Sequence, residues 1–195
     1  WDWHSPAIAT IARAEYWDDL ELRFPLAYRN GVLNSASAET LDPAWIYAII
    51  RQESSFRPAA RSPVGALGLM QIMPATGRQI AQDVQDAAGT PDLLQADLNI
   101  RYGAHYLQRL LGRLQSNPLL VTAAYNAGPN KVMQWLPTRD SIPADVWAES
   151  IPYQETRCYV QRVMEYATIY AQRLGAQATE NRLSARMKPV QNLIN

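Results

Sequence analysis

The sequence predicts an all-α protein, mainly helix with almost no strand, and three observations carry that expectation. Apolar residues recur at three- and four-residue spacing in stretches around 42–54, 99–114 and 153–174, the period of a helix with one buried face. Helix starts and stops punctuate these stretches: Asp42-Pro43 and Pro118 open two of the helices, while Gly128-Pro129 and Gly175 close two. Strand-like alternation is almost missing.

Residues 6–22 mix small, apolar and charged residues with helical spacing and stop at Phe24-Pro25, so one leader helix is expected there. The leader region is aromatic at Trp1, Trp3, Tyr16 and Trp17. Asp42 can accept from the free N–H groups of a first turn, and Pro43 at the first helical position loses no bond. The helix that follows places Trp45, Ile46, Ile49 and Ile50 on one face. The segment Ser62–Thr76 sets Pro63, Gly65, Gly68 and Pro74 around an apolar run with one polar residue, Gln71, which suits irregular backbone packed closely against something.

Pro74 opens a helix through about residue 86, and 87–96, with Gly89 and Pro91, reads as a loop. The helix 99–114 carries a core stripe of Ile100, Gly103, Leu107, Leu110, Leu111 and Leu114, in which Gly103 implies close approach of another helix. A helix from Pro118 ends at Gly128-Pro129, a short one covers 131–136, and 137–148 reads as a loop. The last long helix, 153–174, buries Tyr159, Val160, Val163, Met164, Ala167, Tyr170 and Leu174. Residues 176–195 lack firm periodicity and read as a loosely packed tail.

Composition narrows the function classes. With 195 residues and 48% hydrophobic content, the chain is long enough for one well-cored domain with extensions. Lys+Arg and Asp+Glu both number 18, so net charge is zero and no basic surface argues for nucleic acid. The two histidines, His4 and His105, have no cysteine or paired-carboxylate motif near them, so neither a metal nor another cofactor is expected. Cys158 is the single cysteine, which excludes an internal disulfide. The sequence shows neither a secretion signal nor an apolar run of roughly twenty residues that would span a membrane. It begins at Trp1 rather than methionine, as a mature or trimmed product would, so the missing signal does not argue against export.

The informative residue is Glu53. It falls four residues after Ile49 and three after Ile50, so a carboxylate ends an apolar helical face. Burial and the negative end of the helix dipole both disfavour the anion, and a raised pKa is what a general acid needs at neutral pH. The competing reading is an ion pair with Arg51, Arg57 or Arg61, which would act in the opposite direction.

Glu53-Ser54, the run Gly68–Pro74 (GLMQIMP) and the run Ala124–Pro129 (AYNAGP) resemble three ordered signatures of the soluble lytic transglycosylases of Gram-negative bacteria. A fourth stretch, Glu149–Arg157 (ESIPYQETR), is similar to the segment that opens the last catalytic-domain helix of that family. The resemblance covers about residues 40–172. It implies a lysozyme-like catalytic domain over 40–175, an N-terminal helical leader over 1–39 that is the end of a linker domain, and a tail over 176–195. A terminal helix packed on the outside of the same domain explains the leader equally well.

The resemblance also implies an enzyme of the periplasm acting on peptidoglycan glycan strands, with Glu53 catalytic and Ser62, Gln71, Met73, Tyr125, Asn126 and Glu155 lining the groove. Protein partners are left unspecified. By their positions alone, Tyr125 and Asn126 belong to a helix cap and Glu155 to a first turn where it suits the dipole. Ordinary glycosidases need two carboxylates about 5–5.5 Å or 6.5–9.5 Å apart. Asp42 lies at the far end of the Glu53 helix, roughly 16 Å away at 1.5 Å per residue.

If the substrate supplies its own nucleophile, no second carboxylate is needed. In the family, the C6 hydroxyl of the N-acetylmuramoyl ring closes on its own C1 without water. Leu69, Met70, Ile72 and Met73 around Gln71 are expected to favour a dry site. A goose-type lysozyme-like hydrolase and a non-catalytic glycan-binding module are the alternatives.

Overall fold

The structure, a computed structural model, describes residues 3–15, 18–86, 90–175 and 183–192. Its helices are α1 (His4–Arg13), α2 (Leu20–Arg23), α3 (Arg29–Glu39), α4 (Pro43–Ser54), α5 (Pro74–Asp83), α6 (Ala96–Arg113), α7 (Pro118–Ala127), α8 (Pro129–Gln134), α9 (Ala144–Ser150), α10 (Gln154–Arg173) and α11 (Leu183–Arg186). Extended pairing among the described residues is limited to the isolated antiparallel bridges Arg61–Leu67, Leu67–Ile72 and Ile142–Val190. The all-α class is therefore as expected. The chain divides into two compact units, 1–106 and 107–195.

In the first unit, α4 is the core. The Asp42 carboxylate accepts from the Ala44 N–H at 2.9 Å, Pro43 holds the first turn, and every residue from Ala44 to Ile50 is buried. The helix is thus enclosed on all sides rather than along one stripe. It stops at two residues with left-handed backbone, Ser55 (φ 49°) and Phe56 (φ 64°), neither of them glycine.

Such a conformation costs roughly 1–2 kcal/mol per residue, and local contacts hold it. The buried Phe56 ring lies 6.3 Å from the rings of both Tyr47 and His4. Arg51 Nη1 donates to Ser55 Oγ at 3.1 Å, and Arg57 Nε donates to the Ser54 carbonyl at 3.2 Å.

The leader departs from expectation. It is two helices, α1 and a separate α2 that starts where the Asp19 carboxylate accepts from the Leu22 N–H at 2.9 Å. Trp1, Tyr16 and Trp17 lie outside the described residues, as does Gly89 of the 87–96 segment. The helix α3, not foreseen, is built from a Gly-, Asn- and Ser-bearing sequence; it buries Val32, Ser35 and Ala36 and closes where the Leu41 N–H reaches the Ala36 carbonyl at 2.8 Å. Helix α6 begins at Ala96 rather than near 99, because Gln95 Oε1 accepts from the Leu98 N–H at 2.6 Å and caps it. Just past α5, Asp86 accepts from the Tyr102 hydroxyl at 2.9 Å and from Arg101.

In the second unit, the Asn117 carboxamide oxygen accepts from the Leu119 N–H at 3.1 Å and starts α7, whose residues Leu119–Ala124 are all buried. Helix α10 packs along it and buries Tyr159, Val160, Val163, Met164, Ala167 and Tyr170, with Leu174 half-buried at its end. The expected loop 137–148 contains the start of α9, which turns in after Pro143 and buries Ala144, Trp147 and Ala148. Part of the expected tail is also fixed. Val190 is buried and pairs with Ile142 through bonds of 3.0 and 2.9 Å, and Asn117 Nδ2 donates to the Lys188 and Pro189 carbonyls at 3.3 Å. Residues 176–182 and 193–195 lie outside the described residues.

Candidate functional site

Four of the expected residues belong to the first unit. Glu53 sits in the last turn of α4, half-buried, on a helix whose preceding turns are wholly enclosed. Two of the three arginines named as alternative partners have other bonds: Arg51 Nε donates to the Arg23 carbonyl at 3.1 Å, and Arg57 Nε to the Ser54 carbonyl.

Ser62, Gln71 and Met73 lie on the glycine-bearing loop after α4. Ser62 is half-buried, and its hydroxyl accepts from the Ala66 N–H at 2.9 Å, which closes a turn around Gly65 (φ 92°). Gln71 has left-handed backbone (φ 49°), and its Nε2 donates to the carbonyls of Gly68 at 2.8 Å and Ala60 at 3.3 Å. With both amide protons so placed, Gln71 Oε1 is the atom it can offer to a ligand donor. Met73 is 41% exposed at the start of α5. Leu69, Met70 and Ile72 are buried instead, so of the four apolar residues expected to keep water out, only Met73 reaches the surface.

The loop owes its shape to a residue that sequence reasoning did not single out. Asn99, 0% exposed, accepts from the Met70 N–H at 2.7 Å and donates to the Leu93 and Leu67 carbonyls at 2.8 and 2.9 Å. A buried carboxamide with three partners satisfies backbone groups that would otherwise be stranded in the loop interior. A Cβ on Gly68 would stand 2.3 Å from both Asn99 Nδ2 and the Leu93 carbonyl, and one on Gly103 would stand 2.2 Å from Met70 Sδ. Gly103 therefore makes room for a loop methionine, not for another helix. The available signal is the pair Asn99 and Gly103, four apart on one face of α6.

The second unit holds Tyr125, Asn126 and Glu155. Tyr125 and Asn126 are half-buried in the last turn of α7, and Glu155 is exposed in the first turn of α10. Thr156, 2% exposed, donates its hydroxyl to Asn126 Oδ1 at 2.7 Å. That bond occupies Oδ1 and leaves the Nδ2 protons as what the carboxamide can offer a ligand. Thr156 also went unremarked in the sequence, where it is one more residue after Glu155.

A family model described as Transglycosylase SLT domain matches residues 32–147, and one described as Soluble lytic transglycosylase helical domain matches 150–178. Six of the seven expected site residues fall in the first match and Glu155 falls in the second. The soluble lytic murein transglycosylase of Salmonella typhimurium is 40% identical over 89% of this chain, which spans 27% of that protein. The protein of the same name from Escherichia coli K12 is 39% identical over 91% of the chain, which spans 28% of it.

Among solved structures, an inactive glutamate-to-glutamine mutant of the lytic transglycosylase Slt from Pseudomonas aeruginosa matches with TM-score 0.86 and 47% identity over 89% of this chain and 28% of that one. The 70-kDa soluble lytic transglycosylase of Escherichia coli matches with TM-score 0.85 and 37% identity over 92% of this chain and 30% of that one. The chain thus corresponds to under a third of these relatives. With more than half of its length matched by the first model, it belongs to the transglycosylase SLT domain family.

Proposed function

We propose that the chain is the cutting part of a periplasmic peptidoglycan lytic transglycosylase, which breaks the β-1,4 bond between N-acetylmuramic acid and N-acetylglucosamine and leaves 1,6-anhydromuramoyl ends. The observation that carries this reading is Glu53, half-buried in the last turn of an enclosed helix in a chain of this family. The nearest carboxylate on the same helix, Asp42, is the cap of its opposite end. Glu39 and Asp86 in the same unit are bonded to His105 and to Tyr102 and Arg101.

One carboxylate suffices if it acts twice. Glu53 gives its proton to the glycosidic oxygen as the C1–O bond breaks, and N-acetylglucosamine leaves with a free 4-hydroxyl. The muramoyl N-acetyl oxygen closes on C1 and carries the positive charge as an oxazolinium, with Tyr125 orienting that group. The C6 hydroxyl then attacks C1, the oxazolinium opens, and Glu53 takes the hydroxyl proton. No water is consumed and the acid is restored. Ser62, Gln71, Met73, Asn126 and Glu155 bind the glycan, Gln71 as an acceptor and Asn126 as a donor.

Digestion of purified peptidoglycan in heavy-oxygen water tests this directly. Released muramoyl ends that carry no label and weigh one water less than hydrolytic products support the reading. Label in most ends assigns the chain to hydrolases of the goose-lysozyme type, and binding without release makes it a glycan-binding module.

A further inference from the structure

Helix α3 contains residues that resist being a helix, and they share a place. Asn30 and Asn34, and Gly31 and Ser35, stand four apart and so lie on neighbouring strips of one face. All four line a cavity of about 430 Å³ in the first unit, whose other lining residues include Asp97 and Arg101 from the start of α6. Local stability does not account for them, because alanine at Asn30 or Asn34, both exposed, would make the better helix.

Gly31 has a specific task. A Cβ there would stand 2.7 Å from Asp97 Oδ1, so the glycine leaves the space into which that carboxylate reaches. Among the described residues the Asp97 carboxylate has neither a hydrogen bond nor an ion pair. The same holds for the Ser35 hydroxyl, on a residue only 8% exposed, although buried polar groups are ordinarily bonded. Two independent groups on two helices are thus turned to one cavity with nothing in the protein to receive them.

Their chemistry selects the ligand. Asp97 accepts, while the carboxamides of Asn30 and Asn34 and the hydroxyl of Ser35 both donate and accept. The Arg101 guanidinium, bonded to Asp86, and the positive end of the α6 dipole stand on the same side as Asp97 and disfavour a cationic ligand. What remains is a neutral molecule with several groups that each donate and accept, as the hydroxyls of a sugar do. The volume lies within the ~300–1,000 Å³ of small-molecule sites.

Resting on the peptidoglycan reading above, we propose that this cavity holds a neutral sugar unit of the glycan strand, through none of the residues assigned to cutting. Asp97 accepts from its hydroxyls, Asn30 and Asn34 pair with hydroxyl or acetamido groups, and Ser35 completes the wall. A second hold suits an enzyme on a polymer, because a strand bound at one site is presented to the other at a raised effective concentration.

The test is a titration of the ¹⁵N-labelled full chain with triacetylchitotriose, a neutral acetamido sugar without the bond to be cut, followed by amide NMR. Putrescine is titrated separately as a cationic probe, and release of anhydro ends from peptidoglycan is measured in parallel. The amides of Gly31, Asn34 and Asp97 are expected to shift with the sugar. Asp97→Ala and Asn34→Ala should each weaken that response at least about threefold, as expected for a lost hydrogen bond. Asn34→Ala should do so while melting no lower than wild type, since alanine is the better helix former.

Shifts confined to the amides of Gln71 and Asn126, or cavity shifts that survive both substitutions, overturn the proposal. Cavity shifts with putrescine and none with the sugar overturn it too, and assign Asp97 to an ammonium. If the cavity responds as expected but peptidoglycan yields no anhydro ends, the sugar site stands and the reaction is refuted; anhydro ends without a cavity response leave the reaction and refute the site.

Discussion

Asn99 Oδ1 accepts the Met70 N–H at 2.7 Å, and the same carboxamide holds the Leu67 and Leu93 carbonyls. One side chain of α6 thereby fixes the loop that carries Ser62, Gln71 and Met73. Removal of a buried hydrogen-bonding partner strands what it satisfied, at about 1–3 kcal/mol for each group left bare. Asn99→Leu should therefore lower the unfolding free energy by several kcal/mol. Gly68→Ala should do comparable harm, because its Cβ would meet Asn99 and Leu93 at 2.3 Å on a φ of +80°, whereas Gly65→Ala, with nothing within 4 Å, meets only the conformational penalty. Urea midpoints of the three variants check the ranking.

Glu53→Gln keeps shape and removes the exchangeable proton. Since general acid–base help is worth about 10²–10⁴-fold, turnover should fall by at least two orders of magnitude while glycan binding persists. Retention of more than about a tenth of the activity, a loss under ~1.4 kcal/mol in the barrier, would rule Glu53 out as the acid.

Thr156→Val preserves volume and leaves Asn126 Oδ1 without its 2.7 Å donor. The carboxamide is then free to turn, and its donors no longer point one way. KM for glycan strands is expected to rise several-fold with kcat reduced less. A variant with unchanged KM and a lowered melting temperature would show the bond to be structural alone.

Asp86 and Tyr102 give a pH signature away from the site. The hydrogen bond from Tyr102, assisted by Arg101, holds the Asp86 carboxyl below its ordinary 3.8, and burial, with the bond to Asp86, pushes the Tyr102 phenol above 10.0. A lowered carboxylate pKa gives stability that is present above 3.8 and lost as pH falls through the native value, and a raised phenol pKa gives stability present below 10.0 and lost as pH rises through its native value. The advantage of wild type over Asp86→Asn should thus shrink on acidification, and that over Tyr102→Phe should shrink in alkali. Thermal melts between these limits should show both advantages in full.

Sequence made visible what local rules govern. The cap of α4, the starts of α5 and α7 at Pro74 and Pro118, and the long stripe of α10 all follow from a few neighbouring residues, and the all-α class follows from them. Helix α3 escaped because glycine, asparagine and serine are poor helix formers, and burial of Val32 and Ala36 supplies what propensity does not. Helix α9 escaped because its three buried residues span barely more than one turn, too few for a period to show.

Glu53 was legible as a carboxylate ending an apolar pattern. Asn99 and Thr156 were not, because Met70, Leu67 and Asn126, which they hold, lie 29 to 32 positions away, and Gly103 four residues on is the one local sign of Asn99.

The left-handed pair at Ser55 and Phe56 makes position 55 a place where durability and aim pull in opposite directions. Glycine there would relax the backbone and toughen the protein against heat by about 1 kcal/mol. It would also take away the hydroxyl that receives Arg51, two residues beyond Glu53. A breeder of hardier variants selecting on survival alone would favour that glycine, and one selecting on cutting would keep the serine.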